Sequence, residues 1–243
     1  LLGMRRNRPD PVEYCLGEDM GAISGPGADD EYDGLPPSKD YGCGRPADCS
    51  VVEDGLSPLV SFAAGGLAEC WTGGCYPLND AELKDFPFGY EDIAPHYSEV
   101  AARIGVAGGE DALSGYFPHH EHLSPMLRLD ESAARLLSAY ERRKSKLGAK
   151  YKARLGRSRQ AVLSQAVGDR QACTYCGRCL WGCPNGAFYT PSLTLRALQT
   201  HPNFEYLPWV FVSHFQLAPS GSIDTLVNSH IRGGPPPSRL ADS

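Results

Sequence analysis

Apolar side chains recur at helical spacing in three stretches of the 243-residue chain. Between positions 90 and 106, Ile93, Tyr97, Val100, Ala101 and Ile104 fall on one face, Pro95 suits a first turn, and Gly105 is placed to end the helix. A second helix is expected over 131–147, with Asp130 as N-cap, Ala133, Leu136, Leu137, Tyr140 and Leu147 on one face, and Gly148 just past its end. The third, over 191–199, starts at Thr190 with Pro191 in the first helical position, carries Leu193, Leu195, Ala197 and Leu198, and stops before Pro202. Beyond it the character changes. Positions 204–217 are rich in aromatic and β-branched residues, and Pro219-Ser220-Gly221-Ser222 ahead of 223–227 reads as a hairpin turn. The expected fold class is α/β in the sense of mixed α and β, with a few strands after 204.

Composition lengthens the connections. The 27 Gly and 20 Pro exceed average usage and fall mostly between the periodic stretches, so the fold is expected to be loop-rich. With 42% hydrophobic residues the chain can bury a core. No uncharged apolar run nears the roughly 18 residues that cross a bilayer, so a soluble chain with no membrane partner is expected. Residues 1–57, rich in Asp, Glu, Gly and Pro, read as an irregular segment, residues 58–227 as the main domain, and residues 228–243 as a disordered tail behind Gly233-Gly234-Pro235-Pro236-Pro237. Leu1 is not methionine, and Arg5, Arg6 and Arg8 crowd too short an apolar start for a signal peptide. This favours a cytoplasmic chain whose natural start has been lost.

Charge divides the sequence. Residues 1–134 hold 24 acidic and 8 basic side chains, net -16, and residues 135–243 hold 5 and 15, net +10, which together give -6. Most of the basic excess lies between Arg135 and Arg159, where Tyr140 and Tyr151 are the only aromatics, which reads as a solvated face; no nucleic-acid partner is expected.

Nine cysteines cannot all pair within one chain. Four stand as Cys173-x2-Cys176-x2-Cys179-x3-Cys183-Pro184, a spacing whose short loops bring sulfurs within reach of one [4Fe-4S] cluster while the proline turns the chain away after the last ligand. In two-cluster ferredoxins the fourth cysteine of such a run serves the other cluster, and no second run exists here. Cys15, Cys43, Cys49, Cys70 or Cys75 would have to supply the missing ligand, and nothing in the sequence selects one. A structural zinc site, and cysteines that hold no metal, are the competing readings. His119-His120-Glu121-His122 reads as plain loop, since adjacent residues do not face the same way. No Ser-His-Asp grouping, phosphate loop, or GxGxxG after a strand is found.

Gly65-Gly66-Leu67-Ala68-Glu69-Cys70-Trp71-Thr72-Gly73-Gly74 is followed by Asp85-Phe86-Pro87-Phe88-Gly89-Tyr90-Glu91-Asp92-Ile93-Ala94-Pro95-His96-Tyr97 and by the Ile104-Gly105-Val106 helix end. Next come Cys179-Leu180-Trp181-Gly182-Cys183-Pro184-Asn185-Gly186-Ala187 before the third helix, and His201-Pro202-Asn203-Phe204 before a strand near Val212. In this order, over roughly 57–215, the chain resembles the glucose-methanol-choline (GMC) oxidoreductases, most of all their sugar-oxidase branch. The resemblance implies FAD and oxidation of a small-molecule alcohol or sugar hydroxyl by hydride transfer to the flavin. It places Gly65 and Gly66 against the cofactor, where residues without Cβ admit close backbone approach. Thr72 matches a position near flavin N5, Cys70 a position where some relatives carry a histidine bonded to FAD, and Val212 a strand position whose backbone meets the adenine. Trp71 completes the matched cofactor segment.

Relatives open with a strand-GxGxxG-helix unit and carry a catalytic histidine near the C-terminus; neither is present here. The expectation is an incomplete GMC-type fold lacking its N-terminal dinucleotide-binding βαβ unit, and a fragment inactive without the missing FAD-binding segments. The alternative is a ferredoxin-type electron-transfer protein or subunit.

Overall fold

The computed structural model describes residues 39–43, 55 and 60–230. Within them lie helices α1 (Tyr90–Ile104), α2 (Glu131–Glu141), α3 (Lys144–Tyr151) and α4 (Pro191–Leu198), with strands β1 (Val210–Leu217) and β2 (Ile223–His230). A one-turn helix, Asp40–Cys43, and two 3-10 turns, Gly66–Glu69 and Cys179–Trp181, complete the regular structure. The class is mixed α and β. Among the described residues no helix is long and apolar enough to cross a membrane. The chain divides into two units, 1–193 and 194–243, with α4 spanning the division.

The first unit is built around residues 159–163, which no periodic signal marks. Their backbone bonds to four other segments. Cys75 N–H donates to Arg159 O (3.0 Å) and Ala161 N–H to Gly73 O (2.7 Å), while Ala107 and Gln160 exchange a pair of bonds at 2.8 and 3.0 Å. Tyr189 N–H donates to Ala161 O and Leu163 N–H to Ala187 O, both at 2.9 Å, and Cys173 N–H reaches Leu163 O at 2.8 Å. The pairings are isolated bridges rather than a continuous ladder. On this frame Val162, Leu163, Ala187 and Phe188 form a buried cluster against which Trp71, Leu127, Cys173 and Cys183 pack.

Helix α1 starts where Gly89 N–H donates to the Asp92 carboxylate and Tyr90 N–H to the Asp80 carboxylate, both at 2.9 Å. It ends at Gly105, whose φ of +77° and contact with Leu163 leave no room for a side chain: a Cβ there would fall 2.3 Å from Leu163 Cδ2. Pro95 is the sixth residue of this helix, not part of its first turn. Helix α2 starts as expected, with Ala133 N–H donating to the Asp130 carboxylate at 2.7 Å. The single helix expected over 131–147 is two helices. The first closes through Arg142 N–H to Ser138 O and Arg143 N–H to Tyr140 O, and Arg143 leaves helical backbone at φ -124°. Only charged residues and one serine stand between Tyr140 and Leu147, so no apolar anchor carries α2 through. Gly148 lies inside α3 rather than after it; the helix runs to Tyr151 and ends at the left-handed backbone of Lys152 (φ +53°).

In the second unit β1 and β2 form an antiparallel hairpin, Val212 opposite Asn228 and Phe215 opposite Leu226. The turn closes where the sequence places it, through Ala218 N–H to Ser222 O and a positive φ at Gly221. Strand β2 runs to His230, into the stretch expected to be tail. The rest of that tail, and nearly all of residues 1–57, lie outside the described residues.

Candidate functional site

Two features of the first unit gather the residues singled out by the sequence. One is the double-glycine turn. Gly65 and Gly66 take positive φ of +101° and +62°, and the chain closes by Gly66 N–H to Ala63 O at 2.8 Å. Residues 69–71 anchor the turn from within. Glu69 is 5% exposed. Its carboxylate accepts from Ser192 N–H at 2.7 Å, so it satisfies the free amide end of α4 and complements that helix dipole. Its backbone carbonyl accepts from the Lys39 ammonium. The Cys70 thiol donates to Lys39 O at 3.4 Å and occupies the space above Gly42, where a Cβ would lie 2.0 Å from the sulfur. Trp71 Nε1 donates to Tyr189 O at 2.9 Å, and its ring packs on Phe188 and Tyr189 with centroids 6.3 and 6.4 Å away.

Two residues of the turn face outward. Nothing lies within 4 Å of where a Cβ of Gly66 would be, and Thr72 is exposed. The segment is therefore held by Glu69, Cys70 and Trp71 and presents open backbone at Gly66 with a hydroxyl at Thr72. Cys70 is engaged in packing rather than offered at the surface. Val212 lies in the second unit, in β1, and is 41% exposed.

The other feature is a cavity of about 380 Å³ lined by all four clustered cysteines, Cys173, Cys176, Cys179 and Cys183. Leu127, Val162, Ala187 and Phe188 supply apolar wall, and Arg128, Arg157 and Arg178 bring positive charge. The loop is shaped by left-handed backbone at Tyr175 (φ +57°), Gly177 (+70°) and Gly182 (+95°). At its start Tyr175 N–H donates to Cys173 Sγ at 3.3 Å. The Tyr175 side chain then ties the loop to the opposite wall, its hydroxyl accepting from Arg128 N–H at 2.9 Å and its ring lying 4.6 Å under the Arg128 guanidinium. Burial, reinforced by the thiols of Cys173, Cys176 and Cys183, pushes the Cys179 thiol above the usual cysteine range. None of the four is in a disulfide. Among the described residues no three His, Cys, Asp or Glu side chains stand close enough to hold one metal ion.

Arg170 fastens the end of the cysteine loop to α1. Its guanidinium donates to Gly186 O (2.9 Å), Ile104 O (2.7 Å) and Ala187 O (3.3 Å) and lies 5.8 Å from the Tyr189 ring. Glu69, Arg170, Arg128 and Tyr175 escape sequence reasoning because their partners lie 16 to 123 residues away. Only the lone glutamate inside an apolar and glycine-rich run hints at a buried cap. The histidine stretch is a turn as expected: His119, His120 and His122 border a groove along α1, with His120 buried and stacked on Tyr97.

The chain matches no model of a known protein family and no curated protein.

Proposed function

We propose that this chain is a segment of an FAD-dependent oxidoreductase of the glucose-methanol-choline type, which oxidises an alcohol or sugar hydroxyl by hydride transfer to flavin. The observation that carries the reading is the division of labour in the double-glycine segment. Glu69 and two of the matched residues, Cys70 and Trp71, hold the backbone from inside. Gly66 and Thr72, matched to the flavin side, are the ones left open outward. A flat cofactor needs such a surface: a rigid stretch without Cβ groups, edged by one hydrogen-bonding hydroxyl. Cys70, held at Lys39 O, fits packing better than a covalent flavin bond.

Titration of FAD into the purified chain, followed by quenching of flavin fluorescence, tests this. Thr72→Val, which removes one hydroxyl from an exposed position, is expected to weaken binding about tenfold, the equivalent of one lost hydrogen bond, with the melting temperature unchanged. Equal affinity of the variant for FAD refutes the placement of Thr72, and lumiflavin, which offers the flavin ring without the pyrophosphate that the missing unit would hold, refutes the assignment if its fluorescence stays unquenched up to its solubility limit.

The four-thiol cavity favours a second reading, a ferredoxin-type electron-transfer centre holding one [4Fe-4S] cluster. The supporting observation is that all four cysteines of the run line the same space.

A further inference from the structure

A run of this spacing ordinarily gives its fourth cysteine to a different cluster, leaving one iron to a distant thiolate. Here the loop closes on itself. The chain passes through left-handed backbone at Gly177 and Gly182 between Cys176 and Cys183, and Cys183 packs on the same buried cluster as Cys173. Both pack on the buried cluster of Val162, Leu163, Ala187 and Phe188, while the more exposed Cys176 and Cys179 line the same cavity. The other described thiols stand elsewhere. Cys70 donates to Lys39 O, Cys75 sits where its own amide joins Arg159 O, and neither lines the cavity.

Building on the second reading above, we propose that Cys173, Cys176, Cys179 and Cys183 together ligate one [4Fe-4S] cluster, with Cys183 as the fourth ligand and no remote thiolate. Size supports a cluster over a single ion. A tetrahedral zinc with bonds of about 2.3 Å draws its four sulfurs to about 3.8 Å from one another. The four thiols here lie on the border of one cavity of about 380 Å³ that other side chains also line, which is room for an inorganic cube rather than for one ion alone. Charge supports it too, because four thiolates around such a cube leave it anionic, and three arginines, Arg128, Arg157 and Arg178, line the same space against one carboxylate, Asp130. The Tyr175 N–H on Cys173 Sγ is the kind of amide-to-sulfur bond that stabilises a thiolate ligand.

The experiment reconstitutes the full 243-residue chain without oxygen, using ferrous iron and sulfide, and counts both. It then alkylates loaded and unloaded protein with iodoacetamide and maps the modified cysteines by mass. The expected result is about four irons and four sulfides per chain. Cys173, Cys176, Cys179 and Cys183 should be protected by loading, and the other five cysteines should react equally with and without iron. Cys183→Ala should lower the count to about three irons per chain with the electron-spin signature of a three-iron cluster after oxidation, while Cys75→Ser keeps four. The mapping on unaltered protein makes the test independent of whether Cys183→Ala folds. A chain that takes up no iron and sulfide, or binds zinc without sulfide, removes the second reading and this assignment with it. A chain that holds four irons but leaves Cys183 reactive, with Cys15, Cys43, Cys49, Cys70 or Cys75 protected in its place, overturns the ligand assignment alone.

Discussion

Replacing Glu69 with alanine should unfold the first unit at markedly lower temperature. The carboxylate is buried and accepts from Ser192 N–H at 2.7 Å and from the Ser192 and Tyr41 hydroxyls at 3.4 Å. Its removal strands a helix-terminal amide in a place water reaches poorly. A hydrogen bond to a charged group contributes about 1.5–3 kcal/mol, and the helix-end field it exploits is part of that sum rather than an addition to it. Glu69→Ala is therefore expected to cost about 2–3 kcal/mol, and at about 2–4 °C per kcal/mol for a chain of this size the melting midpoint should fall by about 4–12 °C. Glu69→Gln keeps an acceptor and loses the charge, so about 1 kcal/mol is expected. The decisive measurement adds Gly65. A Cβ at Gly65 would fall 2.6 Å from Glu69 Oε1, so Gly65→Ala damages the protein in two ways: left-handed strain and displacement of the carboxylate. In the Glu69→Ala background only the strain remains. Thermal melts of both single variants and the double variant, followed by far-UV circular dichroism, should show Gly65→Ala costing at least about 0.5 kcal/mol less in that background. Strict additivity, or a Glu69→Ala midpoint within 1 °C or so of the parent, would show that Glu69 does not hold the turn to α4.

Two further outcomes follow from the same packing. Arg170→Met should leave the carbonyls of Ile104, Gly186 and Ala187 without their shared donor, at a cost of about 3 kcal/mol or more; urea denaturation checks it, and an unchanged midpoint contradicts the role. His120 titrates below the ordinary 6.5, chiefly because it is buried, with Arg159 and His119 opposing further charge and the Glu121 carbonyl pulling the other way. Its neutral form is the one the fold favours, so its contribution is full above pH 6.5 and is lost as pH falls through the depressed folded value. Melting temperatures recorded across mildly acidic pH should therefore decline, and His120→Gln should flatten that part of the curve; parallel curves for the two proteins would exclude His120 as the cause.

What the sequence makes legible is local. The N-cap at Asp130, the left-handed stop at Gly105 and the turn at 219–222 each satisfy their bonds within a few residues, so short-range chemistry suffices to find them. The break between α2 and α3 is less visible because Leu147 keeps helical phase with Tyr140 across residues that have nothing to pack against. Residues 159–163 are invisible to periodicity for a different reason. Their partners are scattered over residues 73–75, 107, 173 and 187–189 as isolated bridges, so no run long enough to show a two-residue repeat forms. The candidate sites divide the same way: the cysteine spacing and the glycine pair can be read directly, while Glu69 and Arg170 become visible only once distant segments are brought together.

Phe188 decides how far the two candidate sites are mechanically separate. One face of its ring is met by Trp71 and by Gly73, where a Cβ would fall 2.6 Å from Phe188 Cε2, and the residue also lines the four-thiol cavity. Its backbone neighbour Tyr189 supplies the carbonyl that fixes the Trp71 indole. The double-glycine segment, through Trp71, and the thiols Cys173 and Cys183 thus pack on one buried cluster that includes Phe188. Closely packed interiors transmit displacements because there is no void to absorb them. The glycine at 73 is what allows the contact at all, since any side chain there would drive the ring toward the cavity. Glycine is thus favoured in this run for two different reasons: at Gly66 by left-handed backbone alone, and at Gly73 by the Phe188 ring that a Cβ would strike.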